Sequence, residues 1–173
     1  IEGSIVECGV ARGGTAASMA MANKLFGKKS RNKWLFDSYE GLPAPTKDDY
    51  VKGSTGSFIR PLPKGSCLGT IEQVSELMFG KLKFSENDTF LIKGWFQDTL
   101  YKYRDRVGKI SVLRLDGDWY ESTKIPLDVF YRKVSKNGFV IIDDYFTCHG
   151  SKKAVDEFLR LNKIMVSLIP DMR

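Results

Sequence analysis

Short apolar runs alternate with amphipathic stretches along the whole chain, the pattern of βαβ units building a parallel sheet. Residues 4–10 read as a first strand, Gly13-Gly14 breaks it, and Thr15 is placed to cap a helix running to about Phe26. Further strands are predicted at 33–39 (KWLFDSY), 89–95, 110–115 and 138–143 (GFVIID), with a sixth at 165–169. Between them fall four more helices. One spans 70–79 and opens on the capping box Thr70-Ile71-Glu72-Gln73. Another starts near Asp98 or Thr99, a third covers 122–134 with Pro126 in its first turns, and the last covers 152–161 behind Ser151. Residues 41–69 hold most of the prolines and are too long for a simple connection, so they read as a functional loop or lid. No repeat, low-complexity segment or second domain interrupts this order, and residues 1–173 are read as one α/β domain.

Composition narrows the class. The 173 residues are 42% apolar and 28% charged, enough for one core with an ordinary surface. No apolar run nears the roughly 20 residues that span a bilayer. Cys8, Cys67 and Cys148 are too scattered for a disulfide framework or a cysteine zinc site, and reduced thiols point to the cytoplasm. The formal charge of +6 fits either an acidic partner, such as nucleic acid or a phosphorylated acceptor, or lysines and arginines decorating helix surfaces. Because the basic residues form no dense block with interleaved aromatics, nucleic acid is the weaker reading. The chain starts at Ile1 with a strand close behind, which suggests that a preceding segment belongs to the protein.

In open α/β sheets ligands bind at the carboxyl ends of the strands, so polar residues there carry the functional signal. After the first strand comes Glu7-Cys8-Gly9-Val10-Ala11-Arg12-Gly13-Gly14, either a close approach for a ligand or a tight turn. After the second comes Asp37-Ser38, where an acid grips ribose hydroxyls or simply caps a turn. No phosphate-binding G-K-[ST] loop exists. The fourth strand ends in Asp116-Gly117-Asp118 and the fifth in Asp143-Asp144. Asp116, Asp143 and Asp144 at one sheet edge would repel unless something positive lay between them. All-oxygen donors without a histidine or cysteine cluster favour Mg²⁺, with Ca²⁺ or Mn²⁺ as alternatives, against a set of solvent-facing loop carboxylates. If the fourth strand ran on, Asp116 and Asp118 would point to one side. His149 reads as a solvated loop residue or as a group facing the same pocket.

The strings VECGVARGG, LFDSYEGLP, GWFQDTL, LRLDGDWYEST and GFVIIDDY, in this order, resemble the macrocin O-methyltransferase family over nearly the whole chain. The resemblance implies a class I S-adenosylmethionine methyltransferase fold: a Rossmann-like, doubly wound, mostly parallel sheet in the order 3-2-1-4-5, flanked by helices. It implies a Mg²⁺-dependent enzyme that methylates a hydroxyl of a small-molecule sugar or glycoside. By position, Glu7, Cys8, Gly9, Gly13 and Gly14 would cradle the methionine part of S-adenosylmethionine. Asp37 with Ser38 would hold its ribose, and Gln97 would lie against its adenine. Asp116, Asp143 and Asp144 would bind the metal, and Asp118 would be the general base. Family members add an N-terminal helical segment and a final strand, and form homo-oligomers; neither addition is in this chain.

Overall fold

A computed structural model describes residues 1–50 and 61–170. The centre of the long loop read at 41–69 therefore lies outside the described residues. The element order is β1 (Ser4–Cys8), α1 (Gly14–Phe26), β2 (Lys33–Asp37), α2 (Ile71–Ser75), β3 (Thr89–Lys93), α3 (Phe96–Val107), β4 (Ile110–Leu115), α4 (Tyr120–Phe130), β5 (Val134–Ile142) and α5 (His149–Leu161). All pairings are parallel, in the order β3-β2-β1-β4-β5. This is the expected doubly wound sheet.

Alternation along the strands sorts residues between two layers. Val6, Cys8, Trp34, Phe36, Leu113 and Leu115 face the core built with α3, α4 and α5. The intervening Leu35 and Leu91 face a smaller cluster with Ala16 and Ala20 of α1 and with Val74 and Met78. The alanines let α1 lie close to the sheet, and Phe36 and Phe130, both fully buried, anchor the larger layer with ring centroids 5.7 Å apart. Among the described residues no helix is long and apolar enough to cross a membrane.

Several boundaries differ from those read in the sequence. Residues 165–169 form no strand: nothing pairs them into the sheet, and Met165 and Ile169 are 97% and 93% exposed. Their apolar pattern imitates a buried strand, but a strand exists only where a neighbour supplies the ladder. Thr15 lies inside α1, whose N-cap is Gly13 in the left-handed region, and Ser151 lies inside α5 behind Cys148. The capping box at Thr70 and Gln73 forms as expected, and α2 passes into a π-helical turn, Glu76–Lys81.

Candidate functional site

The register brings four strands to nearly one level, pairing Cys8 with Phe36 and Leu115, and Leu115 with Ile142. The ladder continues one rung beyond. The amide of Gly9 donates to the Phe36 carbonyl, Asp116 to Cys8 and Asp143 to Leu115, at 2.9, 2.9 and 3.0 Å. Asp116 and Asp143 are thus set side by side by backbone alone. A cavity of about 320 Å³ opens over these ends. Gly9, Ala11, Asp37 and Ser38 form one wall, and Trp95, Phe96 and Gln97 at the start of α3 form the next. Asp116, next to Gly9, and Asp118, Asp143 and Asp144 continue the lining, and Leu42 and Pro43 of the long loop complete it.

Eight residues picked out in the sequence therefore meet on one surface: Gly9, Asp37, Ser38, Gln97, Asp116, Asp118, Asp143 and Asp144. Glu7, Cys8, Gly13 and Gly14 do not line it. The Cys8 thiol is buried in the core and burial pushes its pKa well up. Gly9 has φ +92°, and a Cβ there would lie 1.8 Å from the Asp116 carbonyl oxygen, so only glycine lets β1 and β4 close together. Asp37 already holds the turn: its Oδ2 accepts from the amides of Val10 and Ala11 at 2.7 and 3.0 Å, and its Oδ1 accepts from Tyr39 at 2.6 Å. His149 is exposed at the start of α5, in a shallow hollow with Lys152 and Arg160, away from the cavity.

The positive group among the acids includes one the sequence reading missed, Arg114. It sits on β4 directly beside Glu7 of β1 and is 7% exposed. Its Nη1 donates to Glu7 Oε1 at 2.8 Å and to Asp116 Oδ2 at 2.7 Å, and its Nη2 lies 3.0 Å from Asp143 Oδ1. Burial works against the guanidinium charge, but Asp116, Glu7 and Asp143 more than offset it and raise its pKa. Glu7 is pushed up to about 8 by burial, only partly countered by Arg114, and its Oε2 has no hydrogen-bond partner. A lone charge in the otherwise apolar run ISVLRL, two residues before Asp116, was the available signal.

Asp118 and Asp144 are left outside that clamp. β4 stops at Leu115, and Asp118 takes φ +60°, so it does not share a strand side with Asp116 as an extended chain would place it. Its amide instead donates to Asp144 Oδ2 at 3.0 Å, and the Cys148 sulfur lies 3.8 Å from both carboxylates. Burial, then Asp116, raises the Asp118 carboxyl to about 6; burial, then Asp118, raises Asp144 to about 7. Oxygens of Asp116, Asp143 and Asp144 lie within 4.8 Å of one another, and so do ligand atoms of Asp118, Asp144 and Cys148. Either set has the spacing to hold a cation.

Residues 1–170 match the family described as Macrocin-O-methyltransferase (TylF). The chain belongs to this family. It is 35% identical over 158 residues to demethyldecarbamoylnovobiocin O-methyltransferase of Streptomyces niveus, covering 91% of this chain and 58% of that protein. It is 29% identical over 161 residues to mycinamicin III 3''-O-methyltransferase of Micromonospora griseorubida, covering 91% and 61%. The solved O-methyltransferase NovP superposes with a TM-score of 0.82 at 34% identity, over 98% of this chain and 68% of its own. A calicheamicin methyltransferase shares the fold with a TM-score of 0.75 at 20% identity, over 98% and 69%. The chain thus has the class I methyltransferase fold of the macrocin family and spans about six tenths of the two curated relatives.

Two predictions follow from the charges. Replacing Arg114 with Met leaves the buried Glu7 without its cation and is expected to cost about 3–5 kcal/mol in urea unfolding. A carboxyl whose folded pKa is raised binds its proton in the folded state while the unfolded chain, near 4, has released it. In chelator, stability should therefore fall as pH rises from about 4 to 7, by up to about 1 kcal/mol per pH unit for each such proton. Asp144→Asn should flatten that fall in melting scans; an unchanged slope would show that the proton is held elsewhere.

Proposed function

We infer that this chain is the donor- and metal-binding core of an enzyme that transfers a methyl group from S-adenosylmethionine to a hydroxyl of a sugar or glycoside. One observation carries the reading: carboxylates suited to a hard cation open onto the same cavity as the glycine turn of β1 and the acid of β2. The relatives named above are O-methyltransferases by their names, which agrees with it.

The residues fit both absent groups. Gly9 leaves bare backbone facing the cavity, and Asp37 Oδ1, which accepts only from the Tyr39 amide among the described residues, keeps accepting capacity for a ribose hydroxyl. Trp95 and Phe96 offer aromatic surface beside Gln97 for an adenine ring. Asp116, Asp143 and Asp144 present only oxygens, the donor set of Mg²⁺. A bound divalent ion there supplies Lewis acidity that lowers the pKa of a nearby hydroxyl. Asp118 would then receive the hydroxyl proton on its carboxylate as the oxygen bonds to the methyl carbon and the carbon–sulfur bond of S-adenosylmethionine breaks, releasing adenosylhomocysteine. With a pKa of about 6 it is ionised at neutral pH yet more basic than an exposed aspartate, which suits a general base. Its left-handed turn aims it independently of Asp116, so binding and proton transfer fall to different acids.

The acceptor side supports an uncharged substrate. Among the described residues no Lys or Arg lines the cavity, whereas Lys24, Lys28, Lys29, Lys33 and Lys83 gather in a separate hollow near the start of β2. The described lysines and arginines thus form no basic stripe into the site of the kind an RNA or phosphorylated acceptor would favour.

The test uses the full-length protein. Calorimetry should show adenosylhomocysteine binding, and labelled methyl from S-adenosylmethionine should reach a member of a glycoside panel, with activity lost in EDTA and restored by Mg²⁺. Full activity in chelator refutes the metal, and no donor binding refutes the enzyme class. Asp118→Asn should cut the rate by about 10²–10⁴-fold and leave donor and Mn²⁺ affinities nearly unchanged. A parental rate in that variant would assign the proton to another group.

A further inference from the structure

The long loop is fastened to the turn that carries Asp118, and one buried acid makes the fastening. Asp49, in a short 3₁₀ turn at Lys47–Asp49, is 5% exposed. Its Oδ2 accepts from the amide and hydroxyl of Thr46 at 2.6 and 2.9 Å, closing the loop on itself. Its Oδ1 crosses to α4 and accepts from the Tyr120 amide at 2.7 Å. Tyr120 opens that helix, and Trp119 before it offers no side-chain cap. A helix start leaves amides without intrahelical partners and favours negative charge, so Asp49 is the missing cap, supplied from a distant part of the chain.

Three neighbouring contacts run the same way. The Trp119 indole donates to the Pro43 carbonyl at 3.1 Å. Lys153 of α5 lies 2.6 Å from Asp48 and 5.2 Å from the Tyr120 ring centroid. At Gly150, a Cβ would lie 2.0 Å from Asp49 Oδ1 and 2.6 Å from the Tyr120 nitrogen, so α5 packs directly on this junction. Between these contacts and the hydrogen bond from Asp118 to Asp144 lies Asp118 itself, in a left-handed conformation that its neighbours must maintain. The fastened loop also presents Leu42 and Pro43 at the cavity rim.

We propose that Asp49 is a positioning residue: by capping α4 from the loop, it holds the rim at Leu42–Pro43 and the carboxylate of Asp118 as one rigid unit. This rests on Asp118 as the base of the proposed reaction, but the mechanical linkage can be tested without any acceptor. In hydrogen–deuterium exchange of the full-length protein, Asp49→Ala should speed exchange at least about tenfold in the peptides covering both 42–50 and 116–123, with the strand peptides unchanged. Asp49→Asn keeps an accepting oxygen and should restore much of the protection at 116–123. Lys153→Met should loosen the same two peptides to a smaller extent, and it serves if Asp49→Ala does not fold. With demethyldecarbamoylnovobiocin as probe acceptor, Asp49→Ala should lower kcat by tenfold or more, as expected of a displaced catalytic group. The adenosylhomocysteine dissociation constant should stay within about twofold. Loosening confined to 42–50, or a parental kcat in a variant whose two peptides both loosen, overturns the proposal. Absence of methyl transfer by the parent protein to this probe and to every member of the glycoside panel overturns the proposed reaction and leaves the exchange result to decide the linkage.

Discussion

Carboxyl groups crowd the carboxyl-terminal ends of four parallel strands, and half-buried carboxylates are costly unless something neutralises each one. Most of the local structure can be understood as a set of answers to that constraint. Asp37 is answered by three backbone amides. Glu7, Asp116 and Asp143 are answered by the Arg114 guanidinium, which reaches from β4 to β1 and to the residue that follows β5. Asp49 is answered by a helix start and a threonine. Among the described residues Asp144 has one amide from Asp118, the Thr147 hydroxyl at 3.5 Å and a weak sulfur contact, and Asp118 has the sulfur contact alone, so burial makes both hold protons well above the ordinary range. The uncompensated remainder of the charge is the part that the proposed cation would answer.

The fold produces the crowding without help from the side chains concerned. Parallel pairing continues one rung past Cys8, Leu115 and Ile142, which fixes Asp116 and Asp143 before any polar contact forms. Gly9 is essential to this, because the strands converge there more closely than any Cβ allows. Large apolar side chains in the α3–α4–α5 layer and small ones under α1 hold the sheet at its spacing. The stability of the apolar layers is thus what sustains electrostatic strain at the site, a common division between scaffold and function.

Strand existence was legible in the sequence because runs such as ISVLRL and KWLFD have no helical period, while strand order came from the resemblance to the macrocin O-methyltransferase family. So were the acids, because aspartates at strand ends contradict strand propensity. What could not be read depends on register. Arg114 is only a charge in a strand until β1 is known to set Glu7 beside it. Asp49 is only a loop acid until Tyr120 is placed above it. Asp118 would share a side with Asp116 only if the fourth strand ran on, and the left-handed turn that decides otherwise is a single φ value that no residue type signals. The apolar run 165–169 failed in the opposite sense, since its pattern was right for a strand but no edge pairs with it.

In the proposed reaction, the two sides of the cavity have unequal means of holding a ligand. The donor side is largely backbone at strand ends, where conformation is set by the sheet and tolerates little change. The opposite rim comes from a loop and the first turn of α4, and it keeps its shape through a few cross-links at Pro43, Asp48 and Asp49. Substitutions at Leu42 or Pro43 can alter the acceptor surface without touching the sheet, provided those cross-links survive. The same cross-links join that surface to the Asp118 turn, so a loop change that strains them displaces the base as well. Acceptor choice and rate are therefore coupled through the start of α4, and a loop can be exchanged between acceptors only together with the residues that fasten it.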